Sequence, residues 1–357
     1  MSAAAICPDG QLAAAAIITH KGGLLMSAKY LARKVGMAFL TIFATSLLTF
    51  FLLHSMPGDV FYNQAREMSR LSGAPLEDCY RQVTERYNYD PDEPLVSQFA
   101  RYYGAIFRGN LGSSIINVNK TVNDLVAYAL PWTLFIAAIA LTITFLFGIY
   151  VGSIMVWKRK GAMNGLITMI CTVTSAIPVF VWSFLLMVLF VFQLKWLPMT
   201  GAYEATSTPG FNLTFILDVL RHAVLPVMTY VMAYAGIWAL QMKSSGISIM
   251  GEDYINAAYA RGLSDKTIRK RYMMRNAMIP VITLLALTFS MMISTGAFIE
   301  NTYAYPGMGK QLAIATGQRD FPVMQGFLLV MAFCTISGNL ITELLYHKLD
   351  PRIRTEE

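Results

Sequence analysis

Residues 132–156 read WTLFIAAIALTITFLFGIYVGSIMV, and from Trp132 to Val156 there is no Asp, Glu, Lys or Arg. A helix needs about 20 apolar residues to cross the hydrocarbon core of a bilayer, and this stretch exceeds that length. Five further windows share its character: Val35–Met56, Leu166–Leu194, Ala223–Met242, Ala277–Ile299 and Val323–Ile341. The whole chain agrees with them. Of its 357 residues 55% are hydrophobic and 14% charged, with a mean hydropathy of +0.49, a balance that excludes an ordinary water-soluble domain. The expectation is an all-α membrane protein with six transmembrane helices. Pro178 removes a backbone donor inside the third window and frees a carbonyl one turn earlier, so a kink is expected near Thr174 and Ser175.

Lys and Arg in short loops set orientation. The run Trp157-Lys-Arg-Lys160 and the loop from Lys243 to Arg275 are the most basic short connections, which puts both termini on the cytoplasmic side. Membrane orientation accounts for the basic pI of about 9.1, so nucleic acid is not an expected partner. The resulting division is an apolar N-terminal extension over 1–28, read as disordered, a first transmembrane helix over 29–56, and an extracytoplasmic insertion over 57–131. A core over 132–346 contains a cytoplasmic loop at 243–276, and a tail covers 347–357. Within the insertion, Leu76–Tyr87 and Val96–Phe107 are helix-compatible, separated by the helix-breaking Asp90-Pro-Asp-Glu-Pro94. Cys7, Cys79, Cys171 and Cys334 have neither disulfide nor metal-ligand spacing.

The six cores lack the ionisable groups that proton-coupled carriers usually hold at membrane depth. His54 and His222 lie at outer span ends and Glu343 near an inner one, read as interfacial groups in contact with water. The polar residues that do enter lipid are neutral: Ser290 and Ser294 on the fifth window, and Thr335, Asn339, Thr342 and Tyr346 on the last, each set near helical spacing. Such stripes either line a water-filled path or bond neighbouring helices. Gly148 and Gly152 form a small-xxx-small packing pair. No metalloprotease, nucleophile-elbow or phosphate-loop signature is present. Pro306-Gly-Met-Gly-Lys310 resembles the last only superficially, since Ala304 stands where its first glycine belongs and Gln311 where its hydroxyl belongs. A pathway with no energy source of its own results, with no catalytic and no metal residues.

One loop points to an external driver. Between the fourth and fifth windows, Gly251-Glu-Asp-Tyr-Ile-Asn-Ala-Ala-Tyr-Ala-Arg-Gly262-Leu-Ser-Asp265 contains a short helical run, Ile255 to Ala260. Its small Ala257 and Ala258 would admit a partner at close range. Gly262 can adopt the left-handed conformation that ends a helix, and Ser264 can cap the next by accepting a backbone hydrogen bond. Two short helices at an angle are expected, the second carrying Lys266, Arg269, Lys270, Arg271 and Arg275.

This loop resembles the cytoplasmic EAA loop of binding-protein-dependent ABC importer permeases, most nearly that of the dipeptide, oligopeptide and nickel branch. Glu252 to Ser264 followed by Arg275-Asn-Ala-Met-Ile-Pro280 carries the likeness. Other fragments follow in order: Pro57-Gly-Asp59, Gly109-Asn-Leu-Gly-Ser113, Ile177-Pro-Val-Phe180, Trp196-Leu-Pro198, Tyr305-Pro-Gly-Met-Gly309, Arg319-Asp-Phe-Pro322 and Asp350-Pro-Arg-Ile-Arg354. Departures are Asn256 for the usual Glu, a later Pro280, Asn110 for Asp, and Glu343 for Asp. The resemblance implies a type I ABC importer permease-like fold and a permease of the plasma membrane that forms half of a peptide pathway with a second homologous permease subunit. It further implies two cytoplasmic ABC ATPase subunits that bind the ATP, no cofactor in this chain, and an extracytoplasmic substrate-binding protein. The ATPase-docking residues would be Tyr254, Asn256, Ala257, Ala258, Arg261, Gly262, Leu263 and Ser264. Ser290, Ser294, Thr335 and Asn339 are candidates to line the path. A self-contained secondary transporter or channel is the competing reading; it would need a coupling site built from neutral oxygens.

Overall fold

The computed structural model describes residues 28–55, 60–87, 90, 93–117, 119–159 and 161–349. The N-terminal extension up to residue 27, Pro57-Gly-Asp59, Lys160 and the tail from residue 350 lie outside the described residues, as do the side chains of Glu343 and Tyr346. Among the described residues every regular element is a helix, with one isolated β-bridge between Ser113 and Thr121.

The first long helix, α1 (Ala28–His54), leads into an outer unit of three short helices, α2 (Val60–Ser72), α3 (Leu76–Arg86) and α4 (Leu95–Ile106). The two expected runs in the insertion are α3 and α4; α2 is a third that the sequence reading did not single out. Ala65, Cys79 and Val83 form a small core between α2 and α3 with Phe61, Met68 and Tyr80 around it, so Cys79 is a buried packing residue.

The next helix starts about two and a half turns before Pro131, not after it. In α5 (Val122–Trp157) the Thr121 hydroxyl accepts from the Asp124 amide at 3.1 Å, and the Asp124 carboxylate accepts from the Thr121 amide at 3.1 Å. This reciprocal capping box fixes the start. The third window is not one kinked span. It is α6 (Ala162–Ala176) and α7 (Val179–Met187, extended by π-helical turns through Gln193), bent by 100° at Ile177-Pro178. The carbonyl that Pro178 leaves unpaired, on Thr174, accepts from the Trp182 indole Nε1 at 3.1 Å, so a side chain replaces the lost backbone bond.

A 38-residue helix follows, α8 (Leu213–Met250), started by the Asn212 side chain, which accepts from the Phe215 amide at 2.8 Å. It is the central pole, with 67% of its apolar window buried against 11% for α1. A Cβ on Gly148 would come within 2.3 Å of Trp238 Cβ, and one on Gly152 within 2.6 Å of the Ala239 carbonyl oxygen. The small pair therefore lets α5 and α8 approach backbone to backbone.

Chain order then runs through α9 (Asp253–Ala260), α10 (Asp265–Thr267), a π-helical stretch (Ile268–Met274), α11 (Arg275–Thr302), α12 (Met308–Gln318) and α13 (Phe321–Leu349). Asp265–Thr302 passes as one candidate span, so the second short helix expected after Gly262 is instead the first turns of the fifth span. Among the described residues, five continuous helices are long and apolar enough to cross a membrane, and the bent α6–α7 pair makes a sixth crossing if taken as one. α1 packs on α13, at the periphery of the core built by α5, α8 and α11.

Candidate functional site

The loop between α8 and α11 is built from the inside out. Ile255, Ala258 and Ile268 are buried together, with Ile249, Met250, Tyr254, Leu263 and Tyr272 packed around them. This apolar underside seats α9 on the end of α8 and on the π-helical stretch that leads into α11. Tyr254 is tied down further, its hydroxyl accepting from the Asn276 side-chain amide at 3.2 Å. Gly262 has φ +74°, as expected. The Gly262 amide donates to the Tyr259 carbonyl at 2.9 Å and the Leu263 amide to the Ala258 carbonyl at 3.3 Å, the paired bonds of a Schellman ending.

Two expectations change. Ala258 does not face outward; it is 2% exposed and packs on this chain's own core. Three and four residues apart on a helix share a face, and Ile255 with Ala258 takes the inner one, leaving Asn256, Ala257, Tyr259 and Ala260 exposed. Ser264 sits at the next helix start without capping it by its side chain; its hydroxyl meets that of Thr267 at 3.0 Å, and the Ser264 backbone carbonyl takes the Thr267 and Ile268 amides. Of the proposed docking set, Tyr254, Ala258 and Leu263 are thus seat residues. Asn256, Ala257, Arg261, Gly262 and Ser264 form the exposed surface.

The polar stripes separate likewise. Ser290 donates to Asn339 Oδ1 at 2.7 Å, joining α11 to α13, beside Gly338, where a Cβ would meet the Phe289 ring at 2.6 Å. This pair holds two helices together. Ser294 is exposed and donates to the Ser290 carbonyl, and Thr335 is half-buried.

Sequence reading missed two groups. His222 is not in contact with water: its side chain is buried, Nδ1 lying 3.0 Å from Asp218 Oδ1, and Asp218 in turn accepts from the Glu204 amide and the Ser207 hydroxyl. Glu300, one residue past the fifth window, is 3% exposed. Its Oε1 accepts from the Thr133 hydroxyl at 2.7 Å and its Oε2 from the Gly309 amide at 2.6 Å, while the Thr133 hydroxyl accepts from the Met308 amide at 2.8 Å. The carboxylate and hydroxyl together cap α12, which explains Pro306 to Lys310 without any phosphate. A Cβ on Gly307 would fall 2.3 Å from Glu300 Cδ, so these glycines are there for close packing. The available signal was an acid directly abutting a charge-free span.

The family of binding-protein-dependent transport system inner membrane components matches residues 144–355, from the middle of α5 through α9 and beyond the end of α13. The chain belongs to this family. A peptide permease protein of Brucella suis biovar 1 (strain 1330), provisionally named, is 31% identical over 88% of this chain and 95% of its own length. The di/tripeptide transport system permease protein DppB of Pseudomonas aeruginosa (strain UCBPP-PA14) is 28% identical over 91% and 98%. The glutathione transport system permease protein GsiC of Salmonella paratyphi A (strain ATCC 9150 / SARB42) is 30% identical over 88% and 95%. As a member of this inner-membrane family the protein is a multi-pass permease component of an ABC importer, and the relatives extend that likeness through the outer helices α2 to α4.

Proposed function

We propose that this permease subunit carries peptides inward, forming half of the pathway with a homologous permease and driven by two cytoplasmic ATPases that bind ATP, with a binding protein delivering cargo outside. The peptide cargo rests on the names of its relatives. The coupling reading rests on one observation: α9 is a two-turn helix whose underside is fixed to the end of α8 and to the π-helical stretch entering α11, and whose exposed face sets the small Ala257 and Ala260 beside Asn256 and Tyr259. Small exposed residues let a groove close on the helix backbone, and a seated helix transmits displacement as a rigid body to the spans it is fixed to. Hydrolysis then resets the pathway. Both termini and α9 face the cytoplasm, the side that the basic loops favour.

The test is site-specific incorporation of a benzophenone side chain at Asn256 or Ala257 in cells expressing the whole transporter, with Phe107 on the outer unit as control. Irradiation is expected to join positions 256 and 257, but not 107, to an ATPase subunit identified by mass spectrometry. Absence of that adduct, or modification of Ala257→Cys by a membrane-impermeant thiol reagent added outside intact cells, overturns the reading.

A further inference from the structure

An open cavity of about 600 Å³ lies between the first turns of α6 and the C-terminal part of α8. Arg159, Asn164, Thr168 and Lys243 supply polar lining, and Met169 and Val173 apolar lining. Lys243 is half-buried, and its Nζ donates to the Thr168 hydroxyl at 2.8 Å. That hydroxyl gives its own proton to the Asn164 carbonyl at 2.7 Å, so it meets the ammonium as an acceptor. An ammonium carries three donors, and no second acceptor from the protein reaches this one. Asn164 is buried, and its Nδ2 donates to the Arg159 carbonyl at 2.9 Å, which fixes the turn that brings Arg159 to the same cavity.

The charge here is uncompensated. The described lining holds no Asp or Glu, and among the described residues neither Lys243 nor Arg159 forms an ion pair. A partly buried cation favours an anionic partner, and two cations on one cavity select an anion. The surface next to it selects the rest of the ligand. Leu166, Met169, Ile170 and Val173, three and four residues apart, are each about half exposed, so an apolar face of α6 runs on from the cavity. A soluble anion makes no use of that face, whereas a lipid covers it. Basic pockets between membrane helices on the cytoplasmic side suit anionic headgroups.

We propose that this cavity seats the phosphate headgroup of an anionic phospholipid, with an acyl chain lying along the exposed face of α6. Only the choice of the cytoplasmic leaflet rests on the proposed function, through its orientation; binding itself involves neither ATPase nor cargo.

The test photolabels the full chain in phosphatidylcholine nanodiscs with phosphatidylglycerol carrying a diazirine near the head of one acyl chain, and with phosphatidylcholine carrying the same chain. Phosphatidylglycerol adducts are expected on residues 163–173, at least fivefold above those of phosphatidylcholine, displaced by unlabelled phosphatidylglycerol but not by inorganic phosphate. They should fall at least fivefold in an Arg159→Gln, Lys243→Gln double variant. The same fall is expected in Gly165→Phe, which keeps both charges and fills the cavity from a position where a Cβ meets nothing within 4 Å. Arg159→Gln alone, at an exposed site, should lower them at least twofold even where the double variant fails to fold. Equal labelling by the two lipids, or labelling unchanged in monodisperse Gly165→Phe and Arg159→Gln proteins, overturns the proposal and leaves the face in contact with bulk lipid. Displacement by inorganic phosphate overturns it in favour of a soluble anion, and loss of the adducts in the assembled transporter overturns it in favour of a partner subunit. None of these outcomes decides the benzophenone test of α9.

Discussion

At Glu300 a single carboxylate organises the outer end of the fifth span, because its two oxygens meet two different elements. One takes the Thr133 hydroxyl of α5 and the other the Gly309 amide of α12. Replacing Thr133 by Val keeps the shape but leaves the Met308 amide buried and unpaired and takes one donor from Glu300, a loss of about 1–3 kcal/mol. The glycines next to it separate packing from backbone freedom. A Cβ at Gly309 would sit 2.1 Å from Ala297 Cα, whereas at Gly317, in the same helix, nothing lies within 4 Å. Gly309→Ala is therefore expected to destabilise by about 1–3 kcal/mol or more, and Gly317→Ala to be neutral or stabilising by up to about 1 kcal/mol. Thermal unfolding of the detergent-solubilised protein measures both, and equal midpoints for the two alanine variants would refute the assignment. The sequence shows an acid abutting a charge-free window. Only the fold shows that residues 307–309 turn back onto it, a pairing set by how α11 and α12 meet, not by local spacing.

Among the elements, α9 turns on which of two adjacent alanines faces inward. The run Asp253-Tyr-Ile-Asn-Ala-Ala-Tyr-Ala260 spells a helix start, and Gly262 spells its end, so existence and termination were legible. The inner face was not, since it is chosen by Ile268, which lies beyond the turn and completes the cluster with Ile255 and Ala258. Pro178 shows the same limit. Its missing donor announces a break, but the 100° angle follows from Trp182 reaching back to Thr174 and from α6 packing on α8. Six apolar windows and the loop were readable because lipid imposes length and composition; which polar group meets which was decided by tertiary contact. It follows that Ala258→Leu overpacks the seat, at about 1–3 kcal/mol, and is expected to lower ATP-dependent uptake at least tenfold while the protein still reaches the membrane. Gly262→Ala, which must hold φ near +74° at a cost of roughly 1–2 kcal/mol, should lower uptake severalfold. Uptake assays paired with immunoblots of the membrane fraction separate these outcomes from failed insertion, and full uptake by Ala258→Leu would show that α9 is not held by its underside.

For the whole molecule the question is how the outer unit is attached to a bundle that otherwise holds itself together. α1 lies at the periphery on α13, and α2 with α3 has its own small core, so the attachment falls to few contacts. One of them is centred on Asp320, 2% exposed at the corner between α12 and α13, where Arg319 takes a left-handed φ of +57°. Its carboxylate receives the Ser114 hydroxyl and the Ile115 and Ile116 amides across some two hundred residues of chain. Hydrogen bonds to a charged acceptor contribute about 1.5–3 kcal/mol each, and amides left buried without a partner cost about as much. Asp320→Ala should therefore release the 114–116 segment from α13 without disturbing Trp238 and the core that α5, α8 and α11 share. Since about 1.4 kcal/mol is tenfold in an opening equilibrium, hydrogen exchange at residues 114–116 and along α2 and α3 is expected to quicken at least tenfold, with α8 unchanged. If exchange quickened in α8 as much as in the outer unit, Asp320 would be a support of the entire fold. If it quickened nowhere, the outer unit would be held by the apolar contacts of α1 and α4 alone.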